Sequence, residues 1–212
     1  MKTLLKKEFG LAGMVTYLYI LVAFMAMIPN YPILVANMFV SIGMIINFQL
    51  AREAHDTAYF AILPVKKRDI VKAKFLFVMV IEGLSFLLSI MIVALRAIFL
   101  SDAQVYLENP MMNGNVAYLG YTLVCFAMFN GFFLAPFFKT GYSFVKPSIF
   151  FFTAEVICVG AFETLHHIFP ELNATTVNST QFTALAIGVL LYVYVTAISY
   201  RTSANAFERV DL

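Results

Sequence analysis

Six stretches of the chain stay apolar long enough to cross a bilayer: 11–28, 31–50, 75–100, 116–138, 147–169 and 182–200. Crossing takes about 20 residues at about 1.5 Å each. None of the stretches alternates polar and apolar residues, and each is too long for a barrel strand. Backbone in lipid must satisfy its own hydrogen bonds, so these stretches predict helices. The first two are split by "IPNYP", a hairpin signal of two prolines and an asparagine. Before the first stretch, Met1, Leu5 and Phe9 recur every four residues and Leu4 widens their stripe. Lys2, Lys6 and Lys7 sit mostly off that stripe. This spacing predicts an amphipathic lead-in helix along the inner leaflet, a plain basic flank being the alternative. With no A-x-A cleavage site, the first stretch reads as a retained span and not as a signal peptide.

The break at 51–74 is longer than a simple connection needs. Within it "AREAHDTAYFAIL" is rich in helix formers, Pro64 would end that helix, and Asp69 would cap the next. A short helix here could dock a soluble partner or lie on the headgroups. The predicted fold is all-α: a single domain over 1–212, a polytopic bundle of six transmembrane helices with an amphipathic lead-in and a short helix in the 51–74 loop.

Composition agrees. The chain is 62% hydrophobic and 12% charged, against about 25% charged for a soluble domain. Net charge is +2, which says little about partners; membrane lipid is expected and nucleic acid is not. Thirteen of the fourteen Lys and Arg fall in the N-terminus, 51–74, 139–146 and the C-terminus, and Arg96 is the exception. Five crowd into "LPVKKRDIVKAKF", 63–75. The positive-inside rule therefore predicts cytoplasmic termini and a cytoplasmic 51–74 loop. Cys125 and Cys158 lie inside apolar stretches and read as small buried hydrophobes. Pro136 predicts a kink near the inner end of the fourth span.

Four charges fall inside spans: Glu82, Arg96, Glu155 and Glu163. Each costs about 2.5–3.5 kcal/mol at a helix centre on insertion scales, so each is expected to face the bundle interior. Glu82 and Glu155 sit at similar depth, about 12 Å from the inner ends of their spans. If their helices adjoin, they form an acidic lining for a cationic substrate or a proton site; otherwise they are hydrogen-bonded packing residues. Arg96 could pair with Glu163, or snorkel outward to Asp102 or Glu108. Asn37, Asn47, Gln49 and Asn130 are expected to join helices. "ETLHH" puts Glu163 and His166 on one helix face beside His167. A membrane metalloenzyme using these three is the alternative reading. A di-iron bundle needs two E-x-x-H copies and the chain has one, so no metal site is expected. No G-x-x-x-x-G-K-[ST] loop is present, so any ATP that drives this protein is bound by another chain.

The loop resembles a stretch of the ABC-2 type permeases of bacterial ABC transporters, written LP-x-S-R-K-E-I-V-x-x-K. Leu63 and Pro64 match, Lys67, Arg68 and Asp69 take the R-K-E places, and Ile70, Val71 and Lys74 follow in step. Lys66 replaces the usual small polar residue. The tail "SYRTSANAFERVDL" is similar to the family's short ending. The resemblance implies a six-helix permease in the bacterial plasma membrane, paired with a second permease subunit, equal or different. It also implies a cytoplasmic ABC ATPase that carries the ATP and Mg, so this chain is not an enzyme and holds no cofactor. Carried over residue by residue, ATPase docking falls on Arg52, Glu53, His55, Asp56, Tyr59 and Phe60 of a coupling helix, with Leu63 and Pro64 setting its turn. Small members of the family resemble exporters of amphipathic peptides, such as the phenol-soluble-modulin exporter, so an amphipathic or antimicrobial-type peptide is the implied substrate. A non-transporting immunity or sensor protein is the remaining alternative.

Overall fold

A computed structural model describes residues 2–26, 32–56, 59, 65–101, 103–140 and 143–210. All regular structure among them is helical: α1 (Lys2–Ala26), α2 (Val35–Glu53), α3 (Lys67–Phe99), α4 (Gln104–Glu108), α5 (Val116–Met128), a π segment (Phe129–Leu134), α6 (Ala135–Thr140), α7 (Val145–Ile168), α8 (Pro170–Asn173) and α9 (Ser179–Glu208). Among the described residues five units are long and apolar enough to cross a membrane: α2, α3, α5 through α6, α7 and α9. The first apolar stretch falls in α1, and most of the "IPNYP" hairpin lies outside the described residues.

The lead-in and the first span form one unbroken 25-residue helix. Its apolar stripe is turned inward: Leu4, Leu5 and Phe9 pack on the core, and Phe9 meets Phe77 edge-on at 5.1 Å. Helix α3 runs 33 residues, about 50 Å, and so extends beyond a hydrocarbon core of about 30 Å. It begins at Lys67, well before the apolar stretch. Lys66 is its extended N-cap and Asp69 lies in its first turn. Asp69 therefore favours the helix dipole and does not serve as the cap.

At Pro136, where a kink is expected, a π segment stands just before the proline. Proline offers no N–H and its ring crowds the carbonyl four residues back. A wider turn relieves both problems and re-aims its side chains, including Asn130, into the bundle.

Helices α5 and α9 make the closest backbone approach. A Cβ built on Gly120 would run into the carbonyl of Ala184, and one on Gly188 into the backbone of Gly120. Small residues let transmembrane helices pack on their backbones, where dispersion replaces the missing hydrophobic drive. Gly188→Val is therefore expected to destabilise the bundle by about 3 kcal/mol or more. Gly160→Val, at a position with open space around its Cβ, is expected to change little. Thermal unfolding of both variants in detergent checks this.

The bundle has two distinct ends. At one, Arg52 lies 4.7 Å over the Phe144 ring, Lys67 donates to the Val210 carbonyl at 2.6 Å, and Arg68 pairs with Glu208 at 2.7 Å. With Lys7 paired to Asp56, the N-terminal turns of α1 and the described parts of 51–74, 139–146 and the C-terminal segment gather together, and with them the thirteen cations grouped by sequence. At the other end Ile33 donates to Met111 at 3.0 Å, and Asn113 and Asn115 donate to the carbonyls of Asn173 and Leu172, each at 2.6 Å. Arg96 is at that end.

Candidate functional site

The cationic end holds a closed ring of alternating charge. Lys7 Nζ lies 2.5 Å from Asp56 and 3.0 Å from Glu8; Lys74 Nζ lies 3.1 Å from Glu8 and 3.5 Å from Asp56. Two cations and two carboxylates leave the group neutral. Glu8, Asp56 and Lys74 are buried, Lys7 keeps 23% of its side chain exposed, and the Phe48 ring flanks Lys74 at 5.3 Å. Three separate segments supply the members: α1, the loop and α3. Burying a charge costs several kcal/mol unless a partner offsets it. Each segment is therefore held where the other two complete its pairing.

The loop reaches this ring through a sharp change of direction. Of the helix expected over 51–63, residues 51–53 form the last turn of α2, and residues 57, 58 and 60–63 lie outside the described residues. Ala54 donates to Leu50 at 2.9 Å and His55 to Arg52 at 3.0 Å, and His55 then takes a positive φ of 51°. Histidine is among the residues that tolerate this conformation. Helical backbone resumes at Asp56 and Tyr59. The turn sends Asp56 inward to the ring, while Glu53, His55 and Tyr59 are exposed and Arg52 is half-buried. Of the loop residues singled out by sequence, Phe60, Leu63 and Pro64 lie outside the described residues.

From the ring, a polar face runs along α3 through the apolar bundle. Lys74, Glu82, Ser85, Ser89 and Arg96 are all buried, at spacings that keep them on one side of the helix. Glu82 is the centre of a second cluster. Its Oε2 accepts from Tyr192 Oη at 2.7 Å and from Asn130 Nδ2 at 3.2 Å, and Asn130 Nδ2 lies 2.9 Å from Thr196 Oγ1. Helix α3, the π segment and α9 are joined by these bonds. Among the described residues, Glu82 Oε1 and Asn130 Oδ1 are buried acceptors without a hydrogen-bond donor. Further along, Ser89 lies 3.4 Å from Tyr118 Oη. At the far end the Arg96 guanidinium donates to the Met112 carbonyl at 2.5 Å and stacks over Tyr106 at 4.3 Å, beside a cavity of about 260 Å3.

The other intramembrane charges are elsewhere. Glu155 on α7 is buried against Cys125 of α5, whose thiol also meets Cys158; both cysteines are free. Glu82 and Glu155 thus occupy separate environments. Glu163 lies near Tyr121 and His167, and His166 packs on Tyr121 with ring centroids 5.2 Å apart. Arg96 bonds the Met112 carbonyl and the Tyr106 ring, and Asp102, one of its expected outward partners, lies outside the described residues. Among the described residues no three His, Cys, Asp or Glu side chains converge as metal ligands.

Sequence reasoning missed Lys7, Glu8, Tyr192 and Thr196 as site residues, and took Lys74 as a topology anchor. The signal for Lys74 was present: it interrupts the stripe Ile70, Val71, Phe77, Val78 and Ile81, all of them buried. Glu8 is likewise the one acidic residue in a basic lead-in. Asn37 does join helices, donating to Thr122 at 3.1 Å across α2 and α5, whereas Gln49 bonds Glu53 within its own helix at 3.0 Å.

Compared with known families, residues 3–208 match the model described as ABC-2 family transporter protein. Neither the curated proteins nor the solved structures give a match.

Proposed function

Because this chain belongs to the ABC-2 transporter family, we propose that it is the permease half-unit through which a separate ABC ATPase drives export of amphipathic or antimicrobial-type peptides. ATP and Mg are bound and used in that partner. A second permease subunit, of the same or a different chain, completes the pathway. Both termini and the 51–74 loop face the cytoplasm of a bacterial cell, in keeping with the cations gathered at one end of the bundle.

The observation that carries this reading is the charge ring. It ties the loop to α1 and α3 through buried charges, as a device that passes force from a docked subunit into the bundle must. Arg52, Glu53, His55, Tyr59 and Phe60 are the contact residues of the coupling segment, and Leu63 and Pro64 set its exit turn. Asp56 has a different part: buried in the ring, it positions the segment and does not touch the ATPase. Closure of the ATPase pair would push the coupling segment, and α1 and α3 would move with it. The polar face of α3, with Glu82 at mid-bundle and Arg96 at the outer end, is the lining we assign to the substrate.

Affinity purification of the tagged chain from native membranes in mild detergent tests this. An ATPase subunit is expected to co-purify with the parent chain and to be lost at least about tenfold from Tyr59→Ala, where an exposed aromatic contact is removed. If no ATPase accompanies a folded parent, the coupling role fails.

A further inference from the structure

We propose that the cavity between α6, α7 and α9 is a binding site for one anionic phospholipid. The cavity is an open groove of about 580 Å3. Its room comes from small or ring-closed residues where longer side chains would close the gap: Gly131, Ala135, Pro136 and Ala206. The lining changes character along its length. Lys139 and Lys146 flank the mouth, while Phe150 and Gly131 lie one to two turns deeper, about 6–12 Å along their helices. A charged mouth above an apolar trough suits a molecule with an anionic head and a hydrocarbon tail.

Charge fixes the sign of that head. Lys67, Arg68, Lys7 and Lys74, at the same end of the bundle, are all held by acceptors of this chain. Neither Lys139 nor Lys146 has an acidic partner among the described residues. Lys146 is moreover the second residue of α7, whose N-cap Phe144 gives the first turn no side-chain acceptor. A cation there faces the positive end of the helix dipole, so an anion is favoured by the lysine and the helix together. Thr140 does not serve as the recognising group, because its one hydroxyl hydrogen has acceptors within its own chain, the backbone carbonyls of Pro136, Phe137 and Ser143 at 3.1–3.3 Å. Basic pockets between transmembrane helices at the headgroup level have the chemistry that holds phosphate heads.

The test is native mass spectrometry of the full chain released from nanodiscs of equal phosphatidylglycerol and phosphatidylcholine, counting retained lipid. The parent is expected to keep one phosphatidylglycerol in clear preference to phosphatidylcholine. Lys139→Gln/Lys146→Gln should cut that preference about tenfold or more. Ala206→Leu, which fills the cavity and leaves both lysines, should cut it too. Lys6→Gln/Lys66→Gln removes the same charge at the same end away from the cavity and should leave it within about twofold. An equal loss in this last pair would mean diffuse surface charge and would overturn the site, as would a parent with no preference. Displacement of the lipid by free inorganic phosphate would overturn the assignment to a lipid, leaving an anion site only.

Discussion

Lys74→Met is expected to destabilise the protein by about 3–5 kcal/mol and to abolish ATP-driven transport. The substitution keeps the length and apolar stem of the side chain beside Phe48. It removes one cation from a ring of two cations and two carboxylates, so Glu8 and Asp56 are left to share Lys7. Both carboxylates are buried, and the uncompensated charge cannot be relieved by water. A second change should restore part of the loss. Glu8→Gln in the Lys74→Met background returns the group to neutrality and leaves the short Lys7–Asp56 pair intact. Thermal unfolding of the two single variants and the double variant in detergent gives the coupling between the sites. Strictly additive losses, or a Lys74→Met protein as stable as the parent, would mean the ring holds nothing together. Lys7→Met should cost less than Lys74→Met, because Lys7 occupies the solvent side of the ring, 23% exposed against 4% for Lys74, so that its removal opens the carboxylates to water and removal of Lys74 does not.

The ring also marks the boundary of what was legible in the sequence. Membrane spans are legible because lipid imposes one requirement on every residue of a long segment, and no tertiary contact is needed to state it. Five of the six expected spans correspond to long apolar helices among the described residues, and the first to α1. Proline is legible for a similar reason: Pro136 lacks an N–H whatever surrounds it, and the π segment stands beside it. The partners of a charge are not legible, because they depend on how each helix is rotated and on which helix lies next to it. Glu82 could be recognised as buried from its position alone, yet Tyr192 and Thr196 lie more than a hundred residues away in an apolar stretch that reads as uniform. The turn at His55 escaped for another reason. No residue there forbids a helix, and the positive φ at His55 is offset by bringing Asp56 into the ring, a gain visible only once α1 and α3 are in place.

A second kind of information was present as periodicity and went unread. Along α3 the polar residues Glu82, Ser85, Ser89 and Arg96 follow steps of three, four and seven, as the apolar stripe of a soluble helix would. In lipid the usual meaning of such a stripe is inverted: the polar face turns inward and the apolar faces meet hydrocarbon. Leu84, Leu87, Ile90, Met91 and Leu95 on the other faces of α3 are exposed in accordance with this. The single serines are unremarkable one by one. Their register with two intramembrane charges makes one continuous buried polar face, and Glu82 is the position at which the proposed lining and plain packing can be told apart.

Glu82→Gln is expected to leave the bundle within about 1 kcal/mol of the parent while lowering transport by about tenfold or more. The amide has the shape of the carboxyl. Its oxygen can still accept from Tyr192 and Asn130, so the joint between α3, the π segment and α9 is kept. What it lacks is the acidic group, and hydrogen bonds to charged groups are worth about 1.5–3 kcal/mol. That is enough to account for a tenfold loss if a cationic part of the substrate passes this point. Glu82→Leu should behave differently. It removes the acceptor of the half-buried Tyr192 hydroxyl and leaves Asn130 with Thr196 alone, at about 1–3 kcal/mol for a group left unsatisfied, so both stability and transport should fall. The pair of variants separates two roles for the same residue. Transport by Glu82→Gln at the parental rate, with Glu82→Leu unstable, would make Glu82 a packing residue and remove it from the substrate path. Transport lost in a Glu82→Gln protein that unfolds at the parental temperature and still binds its ATPase would place the acidic group in the path itself. The measurement is peptide efflux from vesicles containing permease and ATPase together, run beside thermal unfolding of the same preparations.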